Sequence, residues 1–317
     1  MTHNQDKVLN IIDRIDEWKG KETRFEAVTG GITNINWKVT VDADSYFVKI
    51  PGIGTEEFID RHNCHQANLI AEVTGAGPRV FYFFDDTGVE VFQWLEGFRV
   101  LKYGDTFEEK KFYKMVDTLK KFHQYKEKEL PLFQTIIEQT FKMLKMALEL
   151  NLYIPIEIKR MEWTAKQIEE AIMTAGIDFA PCHNDVYTNN FVWNEKKQEM
   201  KLIDFEYSSM SDPYYDLACW SSGNYFSEAM DKELIRYYCG EYDEKIFARF
   251  KLYKILTEIK WSMWSCVQAA KSNIEDADYV NWLNGKMARL RYFWSDPRLD
   301  YWLDLLNGAP IFRPISQ

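Results

Sequence analysis

The spacing of apolar residues changes once along this 317-residue chain, near Leu95-Glu96-Gly97, and that change limits the folds open to it. Before it, apolar residues come in short runs: Phe25 to Val28, Ile35 to Val41, Tyr46 to Ile50, Val80 to Phe84 and Val89 to Trp94. Runs of this length, bounded by Gly30-Gly31-Ile32-Thr33-Asn34, Pro51-Gly52 and Asp85-Asp86-Thr87-Gly88, read as strands joined by turns. Helical spacing appears at Val8, Ile11, Ile12 and Ile15, and again from Phe58 to Val73, which Gly75 and Gly77-Pro78 close. After it, Phe112, Val116, Leu119 and Phe122 mark an amphipathic helix, and most of the remaining chain follows the same period. The expectation is an α+β chain. Residues 1–97 form a sheet-rich part with a linker near 92–97, and residues 98–317 a larger, mainly helical part.

Composition narrows the function. Hydrophobic residues make up 46%, too many for a disordered chain. The net charge of −10 opposes non-specific binding to nucleic acid or an anionic membrane and favours a cationic small substrate. The five cysteines never fall in a C-x-x-C pair, so neither a disulfide framework nor a zinc knuckle is implied. Met1 to Gly20 lacks the apolar core of a signal peptide, and no run approaches the ~18 apolar residues of a membrane span. A cytoplasmic protein is expected, with a homodimer left open.

One stretch carries the chemistry: Cys182-His183-Asn184-Asp185-Val186-Tyr187-Thr188-Asn189-Asn190-Phe191-Val192-Trp193, followed by Lys201-Leu202-Ile203-Asp204-Phe205-Glu206. Phe191 to Trp193 and Met200 to Ile203 read as strands of a hairpin, with the polar run Asn194 to Glu199 turning between them. With the turn centred near residue 197, Asn190 lies opposite Asp204, and directly opposed side chains on one face approach within ~5 Å. An amide oxygen plus a carboxylate, completed by water and phosphate oxygens, is ligation that Mg²⁺ accepts. Asp185, in the loop entering the hairpin, projects beside that metal, placed to orient a nucleophile. A histidine-asparagine-aspartate run alone is an ordinary capped turn; the full spacing is what makes it a site.

The pattern His183-x-Asp185-x-x-x-x-Asn190, then Ile203-Asp204-Phe205-Glu206-Tyr207, resembles the catalytic and metal-binding loops of the choline kinase and aminoglycoside phosphotransferase group. Met210-Ser211-Asp212-Pro213, Asp216-Leu217-Ala218, Gly30-Gly31-Ile32-Thr33-Asn34 and Trp261-Ser262-Met263-Trp264 are similar to bacterial choline kinases of the LicA type. The resemblance spans roughly residues 25 to 295. It implies a protein-kinase-like fold of two lobes, with an antiparallel N-terminal sheet lobe and a larger helical C-terminal lobe. Asp185 would be the catalytic base, His183 a brace of its loop, and Asn190 and Asp204 the Mg²⁺ ligands. Lys49, on the strand Tyr46 to Ile50, would pair with the ATP phosphates. Gly30, Gly31, Thr33 and Asn34 would let backbone approach them, and Phe92 to Leu95, with Trp94, would receive adenine. Asp216 would brace the catalytic loop. The family's first helix supplies a glutamate to the strand lysine, but that position falls on Cys64 here; Glu72, Glu56 and Glu57 are the available substitutes.

The same resemblance implies a choline pocket of Tyr207, Trp261, Trp264, Tyr279 and Trp282. A quaternary ammonium cannot donate a hydrogen bond and is held by aromatic faces, at ~0.5 to 2 kcal/mol each. Family members also place an acid in the helix after Asp216, whereas Cys219 to Tyr225 contains none. The reading is an ATP- and Mg²⁺-dependent kinase of choline. Ethanolamine, another amino alcohol such as homoserine, an aminoglycoside or a sugar are the alternative acceptors, and an inactive nucleotide-binding scaffold is the alternative of another class. Phosphoryl transfer rests on positioning, so an unperturbed Asp185 suffices for it. His3, His62, His65 and His123 show no ligand spacing with a carboxylate partner and are expected at the surface or at helix ends.

Overall fold

The computed structural model describes residues 3–29, 34–52, 59–132, 134–272 and 278–308. After helix α1 (His3–Arg14) come five strands, β1 (Thr23–Val28), β2 (Ile35–Val41), β3 (Asp44–Ile50), β4 (Val80–Phe84) and β5 (Val89–Gln93), with α2 (Arg61–Val73) between β3 and β4. They form one antiparallel sheet in the order β1-β2-β3-β5-β4. Side chains alternate between its faces. Trp37, Val39, Val41, Val48, Ile50, Val89 and Val91 point to one face, where Val8, Ile11, Ile12, Ile15 and Trp18 cover them in a separate small core. Asn36, Phe47, Lys49, Glu90 and Phe92 therefore share the opposite face, in register with one another.

The helical part follows: β6 (Phe98–Val100), α3 (Glu109–His123), α4 (Ile136–Leu150), α5 (Ile158–Ala175), β7 (Ala180–Cys182), β8 (Phe191–Asn194), β9 (Glu199–Leu202) and β10 (Ser209–Ser211). It ends in α6 (Pro213–Gly223), α7 (Glu228–Cys239), α8 (Glu244–Lys271), α9 (Tyr279–Trp294) and α10 (Leu299–Asn307). The 28-residue α8 is buried on all sides between α4, α6, α9 and α10, so its polar residues need internal partners. Arg249 meets Asp212, Lys254 meets Asp231 at 2.9 Å, and Arg289 of α9 reaches Glu258 at 2.9 Å. This mixed α+β architecture, a sheet lobe on a larger helical lobe, is that of the protein-kinase-like fold. Among the described residues, no helix is long and apolar enough to cross a membrane.

The structure departs from the sequence reading at the start of α2 and in the register of the hairpin. Helix α2 begins at Arg61, where the Asp60 carboxylate accepts from Asn63 N; Phe58 lies outside the described residues, as do Gly30, Gly31, Ile32 and Thr33. The hairpin β8-β9 pairs Phe191 with Leu202, so Asn190 stands opposite Ile203 and not Asp204. The turn holds four residues, Glu195 to Gln198, with Gln198 left-handed, and its centre falls half a residue earlier than the expected one. Helix α2 packs Ala67, Ile70 and Ala71 into the main core of the helical lobe, and Ala76 O accepts from Leu202 N at 2.7 Å.

Buried Asp231 shows how the helical lobe tolerates its internal charges, since its carboxylate serves Ser221 and Lys254 and also faces Lys251 at 3.5 Å. Asp231→Ala leaves two ammonium groups buried without that partner and is expected to cost about 3 to 5 kcal/mol. Urea unfolding should show a lower midpoint at unchanged slope; a loss below about 1 kcal/mol would contradict this account.

Candidate active site

The loop between β7 and β8 is pinned from below. Asp216, fully buried near the start of α6, accepts from His183 N and Asn184 N at 2.7 Å each, and from His123 Nε2 at 2.9 Å. His123 is thus a buried helix-end residue with a carboxylate partner and with Tyr238 Oη at 2.7 Å, not the unpartnered one that its spacing suggested. His123, Cys182 and Asp216 lie within 4.8 Å of one another, but the three donors already on Asp216 account for the cluster. His183 is fully buried: its Nδ1 accepts from Asp185 N at 3.3 Å and its Nε2 donates to Ile203 O at 3.0 Å. Burial lowers its pKa, which suits this neutral tautomer. The imidazole therefore ties the Asp185 loop to the strand end that carries Asp204.

Asn184 and Asp204 both sit in the left-handed region, at φ 62° and 71°, which Asn and Asp tolerate better than other side chains. Asn190 donates its side-chain N–H to Asp185 O at 2.9 Å, leaving its amide oxygen for another partner. Asp204 is reached by Lys49 Nζ at 2.5 Å, and the same ammonium lies 3.1 Å from Glu206. Glu206 also accepts from Arg61 at 2.7 Å and from Asn34 at 2.9 Å.

Burial disfavours the Lys49 ammonium, but Asp204 and Glu206 outweigh it and hold its pKa above the ordinary range. For Glu206, burial is outweighed by Lys49 and Arg61, which hold the carboxyl at about 2. Asp185 behaves oppositely: burial first, then the like charge of Asp204, pushes it up to about 7, against Lys260 and Lys286. It is not the unperturbed carboxylate that the chemistry would have tolerated. The oxygen donors here (the Asn190 amide and the carboxylates of Asp204 and Glu206) are the hard set that suits Mg²⁺.

Of the expected substitutes for the missing helix glutamate, only Glu72 lies among the described residues, and it is engaged away from Lys49. Glu72 accepts from Val80 N at 3.0 Å, and Glu56 and Glu57 lie outside the described residues. Glu206 takes that place from the other lobe, and the Cys64 thiol donates to Glu206 O at 3.3 Å. Glu206 stands two residues after Asp204, so the signal was in the motif itself, without a role attached. Of the residues read as nucleotide contacts, Phe92 is buried on the Lys49 face against Phe47, and Trp94 follows β5 with its indole N–H on Glu96. Gly30, Gly31 and Thr33 lie outside the described residues.

The five aromatics do converge. Trp261 lies 5.3 Å from Tyr207 and 5.6 Å from Trp264, Trp264 lies 5.8 Å from Tyr279 and stacks on Trp282 at 6.3 Å, and Trp264 donates to Tyr207 Oη at 2.9 Å. They pack largely on one another, and only Trp282 is substantially exposed, at 38%. Sequence spacing missed the cations among them: Lys260 Nζ sits 4.6 Å from the Trp261 ring centre and 5.1 Å from that of Tyr207, and Lys286 donates to Tyr187 Oη at 2.7 Å.

Comparison with known proteins follows this geometry. Residues 25–242 match the family described as choline/ethanolamine kinase. A probable ethanolamine kinase of Arabidopsis thaliana is 27% identical over 79% of this chain and 74% of its own length. Protein LicA of Haemophilus influenzae is 23% identical over 75% and 72%. Among solved structures, a choline/ethanolamine kinase family protein from Mesorhizobium loti is similar, with a TM-score of 0.81 at 24% identity over 96% of this chain and all of that one. Choline kinase LicA from Streptococcus pneumoniae gives 0.72 at 24% identity, over 90% and 99%. The match spans the sheet that carries Lys49 and the hairpin that carries Asp185, Asn190 and Asp204, and by it this chain belongs to the choline/ethanolamine kinase family.

Proposed function

We propose that the chain transfers the γ-phosphate of ATP to the hydroxyl of a small amino alcohol. The observation that carries this reading is the meeting of Lys49 with Asp204 and Glu206 beside a separately braced Asp185. Residues 1–97 would hold the nucleotide, with Lys49 on its phosphates, Phe92 and Trp94 beside adenine, and Gly30, Gly31, Thr33 and Asn34 closing over it. Residues 98–317 would hold the acceptor. An ATP donor also suits a cytoplasmic setting. Asn190 and Asp204 would hold Mg²⁺, which when bound neutralises phosphate charge. Most of the remaining catalysis is positioning. Asp185 would accept the hydrogen bond of the acceptor hydroxyl, with His183 as its positioning residue.

The aromatic set leads one to expect choline as the acceptor. The rings of Tyr207, Trp261, Trp264 and Tyr279 are engaged with one another, and an internal ammonium already lies over two of them. That arrangement, together with relatives named as ethanolamine kinases, favours a primary amine that donates hydrogen bonds over a quaternary one that needs bare ring faces.

Asp185→Asn is expected to lower acceptor-dependent ADP release by about 10² to 10⁴ while ADP binding in Mg²⁺ is kept; a coupled assay and calorimetry measure the two. Only ionised Asp185 accepts the hydroxyl proton, and burial has raised its pKa to about 7. Wild-type kcat/KM should therefore rise with pH through about 7, and a profile flat from pH 5.5 to 8 would contradict the role. Glu206 gives a second pH test. Its folded pKa lies below the unfolded value of about 4.3, so its contribution is complete above that value and is lost as pH falls toward 2. Glu206→Gln should remove on the order of 2 to 3 kcal/mol at pH 7 and flatten stability between about pH 5 and 2. Urea midpoints across pH read this, and an unchanged slope would show that the cluster does not hold Glu206.

A further inference from the structure

Among the described residues, the buried lysines have carboxylate partners, with one exception. Lys111 pairs with Asp105 at 2.8 Å, and Lys254 and Lys251 pair with Asp231 at 2.9 and 3.5 Å. Lys260 is fully buried and bonds only neutral groups, Gln139 Oε1 at 2.9 Å and Asn184 O at 3.4 Å. Half-buried Lys286 makes its one hydrogen bond to Tyr187 Oη, with the ammonium 5.1 Å from the centre of that ring. An ammonium withdrawn from water without an anion is costly. Burial lowers the pKa of both lysines, Lys260 to about 8.

Both flank Asp185. Asn184 is its chain neighbour, Tyr187 stands two residues beyond it, and both ammoniums act electrostatically on its carboxyl. Glu258, which acts on Lys286, is fully buried and spends one oxygen on Ser222 and Arg289. The charges acting here are three cations, Lys260, Lys286 and Arg289, and the carboxylates of Asp185, Glu258, Asp204 and Asp216, of which Asp204 is held by Lys49 and Asp216 by His123 and two backbone N–H groups. Beyond Asp216, whose carboxylate already accepts from His123, His183 N and Asn184 N, helix α6 adds no acid, and Gly223 leaves room for Tyr187, because a Cβ there would lie 2.8 Å from Tyr187 Cε1. Tyr187 also meets Trp261 edge-on at 6.2 Å, so it touches both Lys286 and the aromatic cluster.

We propose that Lys286 and Tyr187 form an anion subsite beside Asp185 that takes an acidic group carried by the acceptor itself. The substrate class is then an alcohol bearing both an amine and a carboxylate, a hydroxy amino acid. The inference rests on the kinase reading above and deepens it. The amine faces the aromatic cluster, the carboxylate meets the Lys286 ammonium and the Tyr187 hydroxyl, and the alcohol is presented to Asp185. Lys260, deeper in the lobe, adds positive potential without direct contact.

The test compares serine, homoserine, ethanolamine and choline as acceptors in an ADP-release assay with ATP and Mg²⁺, using wild type, Lys286→Met and Lys286→Arg. Wild type should show at least tenfold higher kcat/KM for one of the hydroxy amino acids than for ethanolamine. Lys286→Met should lower that value at least tenfold more than it lowers ethanolamine turnover, chiefly through KM, and Lys286→Arg should restore part of it. Equal losses on every acceptor, or a raised KM for ATP, would assign the ammonium to the transferred phosphoryl group and overturn the proposal. So would a tenfold preference for ethanolamine or choline in wild type. If no acceptor yields ADP, the kinase reading fails separately, and calorimetry decides the subsite. Binding of serine or homoserine to wild type in ADP and Mg²⁺, lost in folded Lys286→Met, supports it, and no binding overturns it.

Discussion

Lys49 of the sheet lobe meets Asp204 and Glu206 of the helical lobe in one ion cluster, and the rest of the site is arranged around that meeting. Strand alternation forces Lys49 off the apolar face that α1 covers and onto the face turned to the helical lobe. With a cysteine at position 64, helix α2 offers it no carboxylate. The helix instead supplies Arg61 and the Cys64 thiol to Glu206, so the partner of the lysine belongs to the lobe that also carries Asp204. The lysine is therefore positioned only while the two lobes are in contact.

A second set of contacts keeps the Asp185 loop apart from this cluster. Asp216 and His123 fix the start of the Asp185 loop from within the helical core, and His183 links that loop to the carbonyl of Ile203. Two carboxylates are held near one another in this way, Asp204 under an ammonium and Asp185 half-buried without an ion-pair partner. Their environments differ enough to suit the separate tasks proposed for them, charge neutralisation for one and proton acceptance for the other.

Much of this was legible in the sequence, because it depends on local patterns. The period switch near Gly97 located the sheet strands to within a residue or two, and the spacing from His183 to Asp204 located the hairpin. The hairpin register was read one residue off, since the polar run from Asn194 to Glu199 does not reveal that four of its residues form the turn; left-handed Asp204 lies beyond the paired strands. Glu206 as the partner of Lys49 was not legible, because the pairing crosses lobes. The aromatic spacing on α8 and α9 correctly brought Trp261, Trp264, Tyr279 and Trp282 together. Whether those rings face a ligand or each other depends on packing between helices, which periodicity does not encode. Lys260 and Lys286 stood in plain view as charges within helical runs, but their significance comes from what they lack, an ion-pair partner, and only the folded chain shows that.

The account stands on the junction between the lobes, and a crystal structure with ADP, Mg²⁺ and an amino alcohol tests it most directly. It should show the Asn190 amide oxygen and the Asp204 carboxylate on one metal ion that bridges to phosphate, Lys49 on the same phosphates, and the acceptor hydroxyl within hydrogen-bond reach of Asp185. Nucleotide bound elsewhere, or Asn190 and Asp204 turned apart with no ion between them and phosphate, would contradict it.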